Sequence, residues 1–450
     1  MKSMPLIIVC MLSLFTGLYS QDVAITVYNQ DRALVREQRQ LKIQSGVSTV
    51  SFTDVAARID PTSVHFRSLT SPDKLSILEQ NFEYDLISAD KILQKYIDES
   101  IQLITTEGDV YRGTLLNASG SDIVIRDEKG GIKIIKGQSV QYFDFPDLPE
   151  GLITRPTLVW LIRNSGPVNQ KTEISYLTSG VDWHAEYVAV TDSKDENLDL
   201  SGWVSVNNRS GVSYNQAKIK LVAGDVHTVQ PVAKKMERSM DMLAAAPEEA
   251  EHFEEKSFFE YHLYTLQRKA TLKNNQIKQI SLFPPATTVT KKVFLYDGVR
   301  YQNKIRVNLE FKNSKQQGLG IPLPKGKIRV YKQDDDGALE FIGEDQIDHT
   351  PKDETVSIYL GNAFDLVGER VQKNVQKLSK RSREEQYEIT LKNHKKEDVD
   401  IVVREHFWAD WSIKEKSHNF KKVDASTAEF TVHVPSEDEV IVSYKVVLSW

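Results

Sequence analysis

An acid, an imidazole and a second acid occupy alternate positions in the stretch "YLTSGVDWHAEYVAVTDS", residues 176–193. Side chains two apart on a β-strand lie on the same face, so Asp182, His184 and Glu186 would stand together. Three such groups could bind a metal ion or transfer protons. They could equally form the solvated face of a sheet whose other face is the core.

The positions between them favour the second interpretation. They carry an apolar stripe typical of a sheet core, made by Trp183, Ala185, Tyr187 and Ala189. Neighbours two apart on a strand are separated by about 7 Å, which suits separate hydration and is wide for one tetrahedral ion. We therefore expect the three polar side chains to be hydrated separately and the stretch to be mainly architectural.

The other chemical patterns are weak. The chain has no HExxH motif, no Gly-rich phosphate loop and no GxSxG elbow. Asp334, Asp335 and Asp336 invite a calcium site, but calcium loops alternate their ligands. Three consecutive acids before Gly337, between two strand-like segments, indicate a hairpin turn instead. A glycosidase pair of acids forms only on folding, and no pair stands out. We predict no catalytic, cofactor-binding or metal residue, and no cofactor.

Composition limits the class of protein. The 450 residues allow two or three domains of about 150 residues each. A hydrophobic fraction of 40% and a charged fraction of 27% are ordinary for a globular protein. With 57 basic and 63 acidic side chains the formal net charge is −6, which argues against nonspecific binding to nucleic acid.

Residues 1–20 have the pattern of a secretory signal peptide: Lys2 precedes an apolar run over 6–15, and small residues lead to a cleavage site before Gln21. The alternative is a buried N-terminal helix. The apolar run is shorter than the roughly 20 residues that span a bilayer, so we expect no transmembrane anchor after cleavage. Cys10 lies inside this segment, which leaves a cysteine-free mature chain. We expect an extracytoplasmic protein, periplasmic or secreted.

The hydrophobic pattern predicts a mainly β protein, since apolar residues alternate along most of the chain. Residues 22–82 are expected to form an N-terminal β-rich domain. In 84–147, Ser88 precedes a helical pattern and five short strands follow, as in a small Sm-like or SH3-like barrel. Residues 150–450 are expected to form an all-β sandwich domain. Within it, 232–258 has no β period and is expected to be a flexible excursion, with a short helix as the alternative.

Four blocks in order carry a family resemblance: "ISYLTSGVDWHAEYVAV", "LSGWVSVNNRSGVSYNQAKIKLVAGDV", "FEYHLYTLQRKATLKNNQIKQISLF" and "GNAFDLVGER". They resemble the exported bacterial proteins that carry domain of unknown function 4139, some of which are called mucoidy-inhibitor-like. Better-known members place a coiled coil where this chain has the segment 84–147. The resemblance implies an exported β protein and brings no reaction, substrate or site residue.

Two functional hypotheses follow. The first is a non-enzymatic binding or scaffolding protein of the cell envelope that recognises an envelope protein or polysaccharide. The alternative is a hydrolase of envelope polymers that uses acidic residues brought together by the fold. Because no local catalytic signature occurs, the sequence favours the binding protein.

Overall fold

The computed structural model describes residues 22–86, 88–118, 121–147, 153–224, 253–258, 261–334 and 336–450. The expected signal peptide, its cleavage site at Gln21 and most of the expected excursion lie outside the described residues. The described part of the chain is mainly β, as its alternating hydrophobic pattern predicts, and its strands form four sheets.

The first region contains five strands and two 3₁₀ turns. They are β1 (Asp22–Tyr28), β2 (Arg32–Lys42), β3 (Gly46–Thr53), a turn at Pro61–Ser63, β4 (His65–Ser68), a turn at Pro72–Lys74 and β5 (Leu75–Glu83). Buried residues alternate with less buried ones along β1, which places Val23, Ile25 and Val27 in the core.

The second region contains a helix and five strands. They are α1 (Ala89–Lys95), β6 (Ser100–Thr105), β7 (Val110–Asn117), β8 (Asp122–Asp127), β9 (Ile132–Lys136), a 3₁₀ turn at Gly137–Ser139 and β10 (Val140–Asp144). The Ser88 side chain caps α1 by accepting a hydrogen bond from the backbone N–H of Lys91. The strands surround a small core of their own that includes Leu93, Leu103 and Leu115.

This small sheet does not close into the expected barrel. Its strand order is β10-β6-β7-β8-β9, so β9 and β10 lie at opposite edges. After β9, the chain makes the 3₁₀ turn at Gly137–Ser139. Strand β10 then pairs with β6 and not with β9. Ile132 and Ile134 of β9 consequently stay exposed. The segment is an open five-stranded sheet.

The rest of the described chain contributes nineteen strands, the short helix α2 and one 3₁₀ turn. The first eight of these strands are β11 (Thr157–Asn164), β12 (Asn169–Thr178), β13 (Val181–Thr191), β14 (Asn197–Asn208), β15 (Tyr214–Ala223), β16 (Phe253–Phe258), β17 (Tyr261–Leu266) and β18 (Ala270–Leu272). The remaining elements are β19 (Gln276–Tyr296), α2 (Gly298–Tyr301), β20 (Lys304–Lys312), a turn at Lys315–Gln317, β21 (Gly326–Gln333), β22 (Leu339–Ile347), β23 (Thr355–Ser379), β24 (Ser382–Asn393), β25 (Val399–His406), β26 (Asp410–Lys416), β27 (Phe420–Lys422), β28 (Thr427–Val434) and β29 (Glu439–Ser449).

Residues 22–82 do not form a separate domain, contrary to the sequence expectation. An eight-stranded sheet has the order β16-β17-β15-β1-β2-β12-β4, with β18 also on β15, and a three-stranded sheet has the order β3-β11-β5. The first region therefore supplies strands to sheets that residues 157–272 complete. The physical reason is pairing: β1 lies between β2 and the parallel strand β15, which satisfies both its edges.

The expected excursion over 232–258 is wrong at its C-terminal end, because Phe253–Phe258 is a strand. It pairs in antiparallel fashion with β17 and forms the edge of the eight-stranded sheet. Pairing with β17 satisfies the backbone hydrogen bonds of this segment. The local sequence of residues 253–258 does not predict that pairing. Residues 232–252 lie outside the described part of the chain.

A thirteen-stranded sheet dominates the C-terminal half, with the order β22-β21-β13-β14-β19-β20-β23-β24-β29-β26 and β25, β27 and β28 attached to it. Two hydrophobic cores lie against it: a large one shared with the eight-stranded sheet, and a second one built by residues 294–448. Strand β13 pairs with β14 on one side and with β21 on the other, so its polar face meets side chains from distant parts of the chain. Within the described residues, no helix has the length and apolar character to cross a membrane.

Candidate functional site

Strand β13 has one face in the core, as predicted. Trp183, Ala185, Tyr187 and Ala189 are all buried. The polar atoms of the two aromatic side chains are satisfied by backbone carbonyls, since Trp183 Nε1 donates to Val222 O at 3.2 Å and the Tyr187 hydroxyl donates to Pro324 O at 2.7 Å. This face is architectural.

The opposite face differs from the expectation of three separately hydrated side chains. Only 7% of Glu186 is exposed, and its Oε2 accepts hydrogen bonds from Ser205 Oγ at 2.7 Å and Gln279 Nε2 at 3.0 Å. His184 is half exposed, and its Nε2 lies 3.9 Å from Glu186 Oε1. The prediction is wrong for Glu186 because β14 and β19 bring Ser205 and Gln279 over it.

Asp182 lies near the start of β13 and is partly buried. Burial raises the pKa of its carboxyl above the ordinary value, and the nearby Arg209 guanidinium opposes that rise. The Arg209 Nη2 atom is 3.5 Å from Asp182 Oδ2. The polar face therefore carries one half-buried acid, one accessible imidazole and one buried acid, rather than three equivalent groups.

His184 opens onto a cavity of about 560 Å³, which we name the His184 pocket. Its wall comes from four separate stretches of the chain and includes Asn29, Trp183, His184, Lys325, Lys327, Glu344 and His349. Gly326 brings β21 close to β13 here, because a Cβ at this position would lie 2.2 Å from Ala185 O. No local sequence motif predicts this grouping, since Asn29 and Glu344 are separated by most of the chain.

The two acids in the wall of the His184 pocket are already engaged. Glu344 lies 3.2 Å from Lys327 Nζ and 3.4 Å from Arg329 Nε. Asp345 accepts hydrogen bonds from the backbone N–H groups of Tyr359 and Gln346, at 2.7 and 2.8 Å. The pocket thus presents a balanced set of charges, which suits a neutral polar ligand better than an ion.

Asn29 and His349 are two polar residues in the wall of the His184 pocket. The Oδ1 atom of Asn29 is buried and accepts no hydrogen bond from the described residues. His349 Nδ1 accepts from the backbone N–H of Lys325 at 3.1 Å, which places the proton of a neutral imidazole on Nε2. Asn29 and His349 therefore add polar side chains to the pocket wall.

The arrangement lacks the contacts of a nucleophilic site. The Ser205 hydroxyl donates to Glu186 and is fully buried, so it is neither activated by His184 nor accessible to a substrate. Among the described residues, no group of three or more His, Cys, Asp or Glu side chains is placed to hold a metal ion.

The aspartate cluster is a hairpin turn between β21 and β22. Asp334 donates its backbone N–H to Ala338 O at 2.9 Å, and Gly337 donates to Asp334 O at 2.9 Å. The Asp336 side chain accepts from the backbone N–H of Ala338 at 2.8 Å. Asp335 lies outside the described residues. Asp334 and Asp336 thus shape the turn, as the spacing predicts.

Two carboxylates share a second cavity of about 350 Å³, which bears on the hydrolase hypothesis. They are Glu37 and Asp54. Arg39 Nε donates to Glu37 at 3.1 Å, and Arg155 Nη1 donates to Asp54 at 2.7 Å. Each acid therefore holds an arginine, unlike the free acid and base that glycoside hydrolysis requires.

Comparison with known proteins adds a family and no reaction. The family model described as "Domain of unknown function (DUF4139)" matches residues 172–450, which include all of β13 and the C-terminal wall of the His184 pocket. No curated protein matches the chain.

Proposed function

Because the chain belongs to the family of domain of unknown function 4139, whose description states no reaction, we propose its function from the site: an exported, non-enzymatic protein of the bacterial cell envelope that binds envelope polysaccharide. The single observation that supports this proposal most is the His184 pocket. It combines the apolar side chains Trp183 and Ala185 with paired charges and with the half-exposed imidazole of His184.

The dimensions of the pocket favour a sugar over a protein surface. A cavity of about 560 Å³ lies within the range of about 300–1,000 Å³ that is usual for small-ligand sites. Stable protein partners instead cover roughly 800 Å² on each side, most of it fairly flat. A sugar ring has an apolar face and a rim of hydroxyls, which matches a wall that holds both apolar residues (Trp183 and Ala185) and polar ones (Asn29, Lys327 and His349).

Binding without cleavage is favoured by the occupied state of the acids. Glu344 is paired with Lys327 and Arg329, and Glu186 accepts two hydrogen bonds beneath the pocket. A glycosidase needs one carboxyl to donate a proton and a second to act as base or nucleophile. The carboxylates around His184 instead hold the wall in shape.

The proposal can be tested by co-sedimentation of the mature protein with peptidoglycan sacculi and, separately, with purified exopolysaccharide. His184→Ala and Lys327→Ala should each weaken binding about tenfold, as expected when a hydrogen bond to a ligand is lost. His433→Ala is the matched control, because His433 is exposed to a similar degree and lies outside the pocket.

The outcomes separate the hypotheses. Retention of wild type on a polysaccharide, loss in the two pocket variants and no release of reducing ends would support the proposal. Release of reducing ends that depends on protein would favour the hydrolase. Absence of binding to both polymers, with recovery of an envelope protein that depends on His184, would favour a protein partner.

Export is the part of the proposal that rests on residues 1–20 alone. Their basic start, short apolar run and small residues before Gln21 are typical of a signal peptide. The intact mass of protein recovered from producing cells should correspond to a chain that starts within a few residues of Gln21. A full-length chain in the cytosol would contradict export.

A further inference from the structure

A third cavity, of about 450 Å³, is lined by positive charge, whereas the charges of the His184 pocket are balanced. We name it the Arg306 pocket; its wall includes Arg300, Tyr301, Lys304, Arg306, Tyr359 and Asn362. Three of these side chains are cationic and none is acidic. The pocket lies where α2 and β20 meet β23, away from the residues that line the His184 pocket.

The guanidinium of Arg306 is held in place by two tyrosines. Its Cζ lies 3.6 Å from the centroid of the Tyr359 ring and 4.7 Å from that of Tyr301. Its Nη1 donates to the Tyr301 hydroxyl at 2.7 Å. Stacking between aromatic rings fixes the plane of a guanidinium and leaves its edge free to bind oxygen atoms.

The hydrogen-bonding capacity of Arg306 is only partly used. Its Nε is buried without a partner among the described residues, which is rare for a native donor and marks a site of strain or binding. Within that part of the chain, neither Arg306 nor Lys304 lies within ion-pair distance of a carboxylate. Arg300 Nε is 3.7 Å from Asp297 Oδ2, and this buried acid also contacts His406 Nε2 at 2.9 Å. The pocket therefore retains a positive excess.

The backbone around the pocket is irregular in three places. The pairing of β20 with β23 shifts register between Lys304 and Arg306 and again between Val307 and Asn308. Gln302, which also lines the pocket, has φ 58° and ψ −118°, a conformation that residues other than glycine rarely adopt. Bulges and strained residues of this kind redirect side chains and are concentrated at binding sites.

We propose that the Arg306 pocket binds an oxyanion, a phosphate or carboxylate group. Arg306 and Arg300 would donate to its oxygen atoms, Lys304 would supply a third positive charge, and the Asn362 side chain would donate its amide N–H. Asn362 Oδ1 already accepts from the Tyr359 hydroxyl at 3.2 Å, which leaves the NH₂ group as its donor. This site is independent of polysaccharide binding at His184, and either proposal can fail without the other.

The test is calorimetric titration of the mature protein with inorganic phosphate and, separately, with malonate, at constant ionic strength set by chloride. Saturable binding of phosphate alone identifies a phosphate site, and saturable binding of malonate identifies a carboxylate site. Arg306→Gln should weaken binding about tenfold or more, because it removes a charge-assisted hydrogen bond. Lys304→Gln should weaken it about threefold, since an exposed lysine contributes mainly a screened charge.

Lys312→Gln is the matched control, because Lys312 is an exposed lysine on the same strand that does not line the pocket. The Lys312→Gln variant should bind phosphate or malonate with the same affinity as wild type. If Arg306→Gln fails to fold, Lys304→Gln still tests the proposal. Lys304 is exposed, so its replacement should leave the fold intact. The proposal is overturned if wild type shows no saturable binding of either anion, or if Arg306→Gln and Lys304→Gln bind as wild type does.

Discussion

The His184 pocket and the Arg306 pocket are similar in size, about 560 and 450 Å³, yet differ in charge. In the first, two lysines and two acids lie in the same wall as Trp183 and Ala185. In the second, three cations surround two tyrosines with no acid in the wall. The overall net charge of −6 predicts neither pattern. Cross-strand neighbours therefore set the charge of each pocket wall.

Strand register explains the difference. Arg329 of β21 lies directly opposite Glu344 of β22, so the positive charge beside the His184 pocket meets a carboxylate across the ladder. Arg306 of β20 lies opposite Asn362 of β23, and Lys304 lies opposite Val367. Opposite charges on facing residues stabilise a sheet, whereas a cation opposite a neutral residue remains available to a ligand.

The largest contrast is expected for the aromatic residues of the two pockets. Trp183→Ala should reduce the free energy of unfolding by about 3–5 kcal/mol, as a large-to-small change in the core. Tyr359→Ala should reduce it by about 0.5–2 kcal/mol, chiefly through the lost contact with Arg306. Urea denaturation of both variants checks this order. Equal losses would show that the Tyr359 wall is as much part of the core as Trp183.

A smaller contrast is expected between two acids near His184. Glu186→Gln should reduce the free energy of unfolding by about 1–3 kcal/mol, because an amide NH₂ would meet the donors Ser205 and Gln279. Glu344→Gln should change it by less than about 1 kcal/mol, because its ion pairs are partly exposed. Thermal or urea denaturation at pH 7 measures both. A larger loss for Glu344→Gln would show that Glu344, rather than Glu186, is the acid that stabilises the fold.

The third effect depends on pH and concerns Asp182. Burial raises the pKa of this carboxyl above 3.8, so the folded protein binds the proton more tightly than the unfolded chain. Its contribution to stability is therefore greatest below 3.8 and declines as the pH rises through the raised value. Relative to Asp182→Asn, wild type should gain stability as the pH is lowered through that window. A constant difference would show that the Arg209 ion pair balances burial, and one of opposite sign would show that it outweighs burial.

Local sequence patterns predict the strands and turns, but they do not predict the pockets or the contacts of the side chains around them. Alternation predicts the buried face of β13, and the Ser88 cap and the Gly337 turn can be read from neighbouring residues. The burial of Glu186 cannot be predicted from neighbouring residues, because its partners Ser205 and Gln279 belong to other strands.

The merging of the first region with the later sheets escapes sequence reasoning for the same reason. Ile25 of β1 pairs with Ile219 of β15 in parallel, across nearly two hundred residues of chain. Nothing local to either strand selects that partner. The Arg306 pocket likewise depends on two register shifts that no short motif announces. Long-range pairing therefore decides the binding surfaces, whereas local periodicity decides the strands.

The most direct test of polysaccharide binding at the His184 pocket is protection of histidines from diethyl pyrocarbonate, measured by mass spectrometry with and without bound polysaccharide. His184 and His349 line the pocket, whereas His433 is exposed elsewhere and serves as the internal control. We expect modification of His184 and His349 to fall when polysaccharide is bound, with His433 modified equally in both samples. Unchanged modification of His184 in a sample that retains bound polysaccharide would contradict the account.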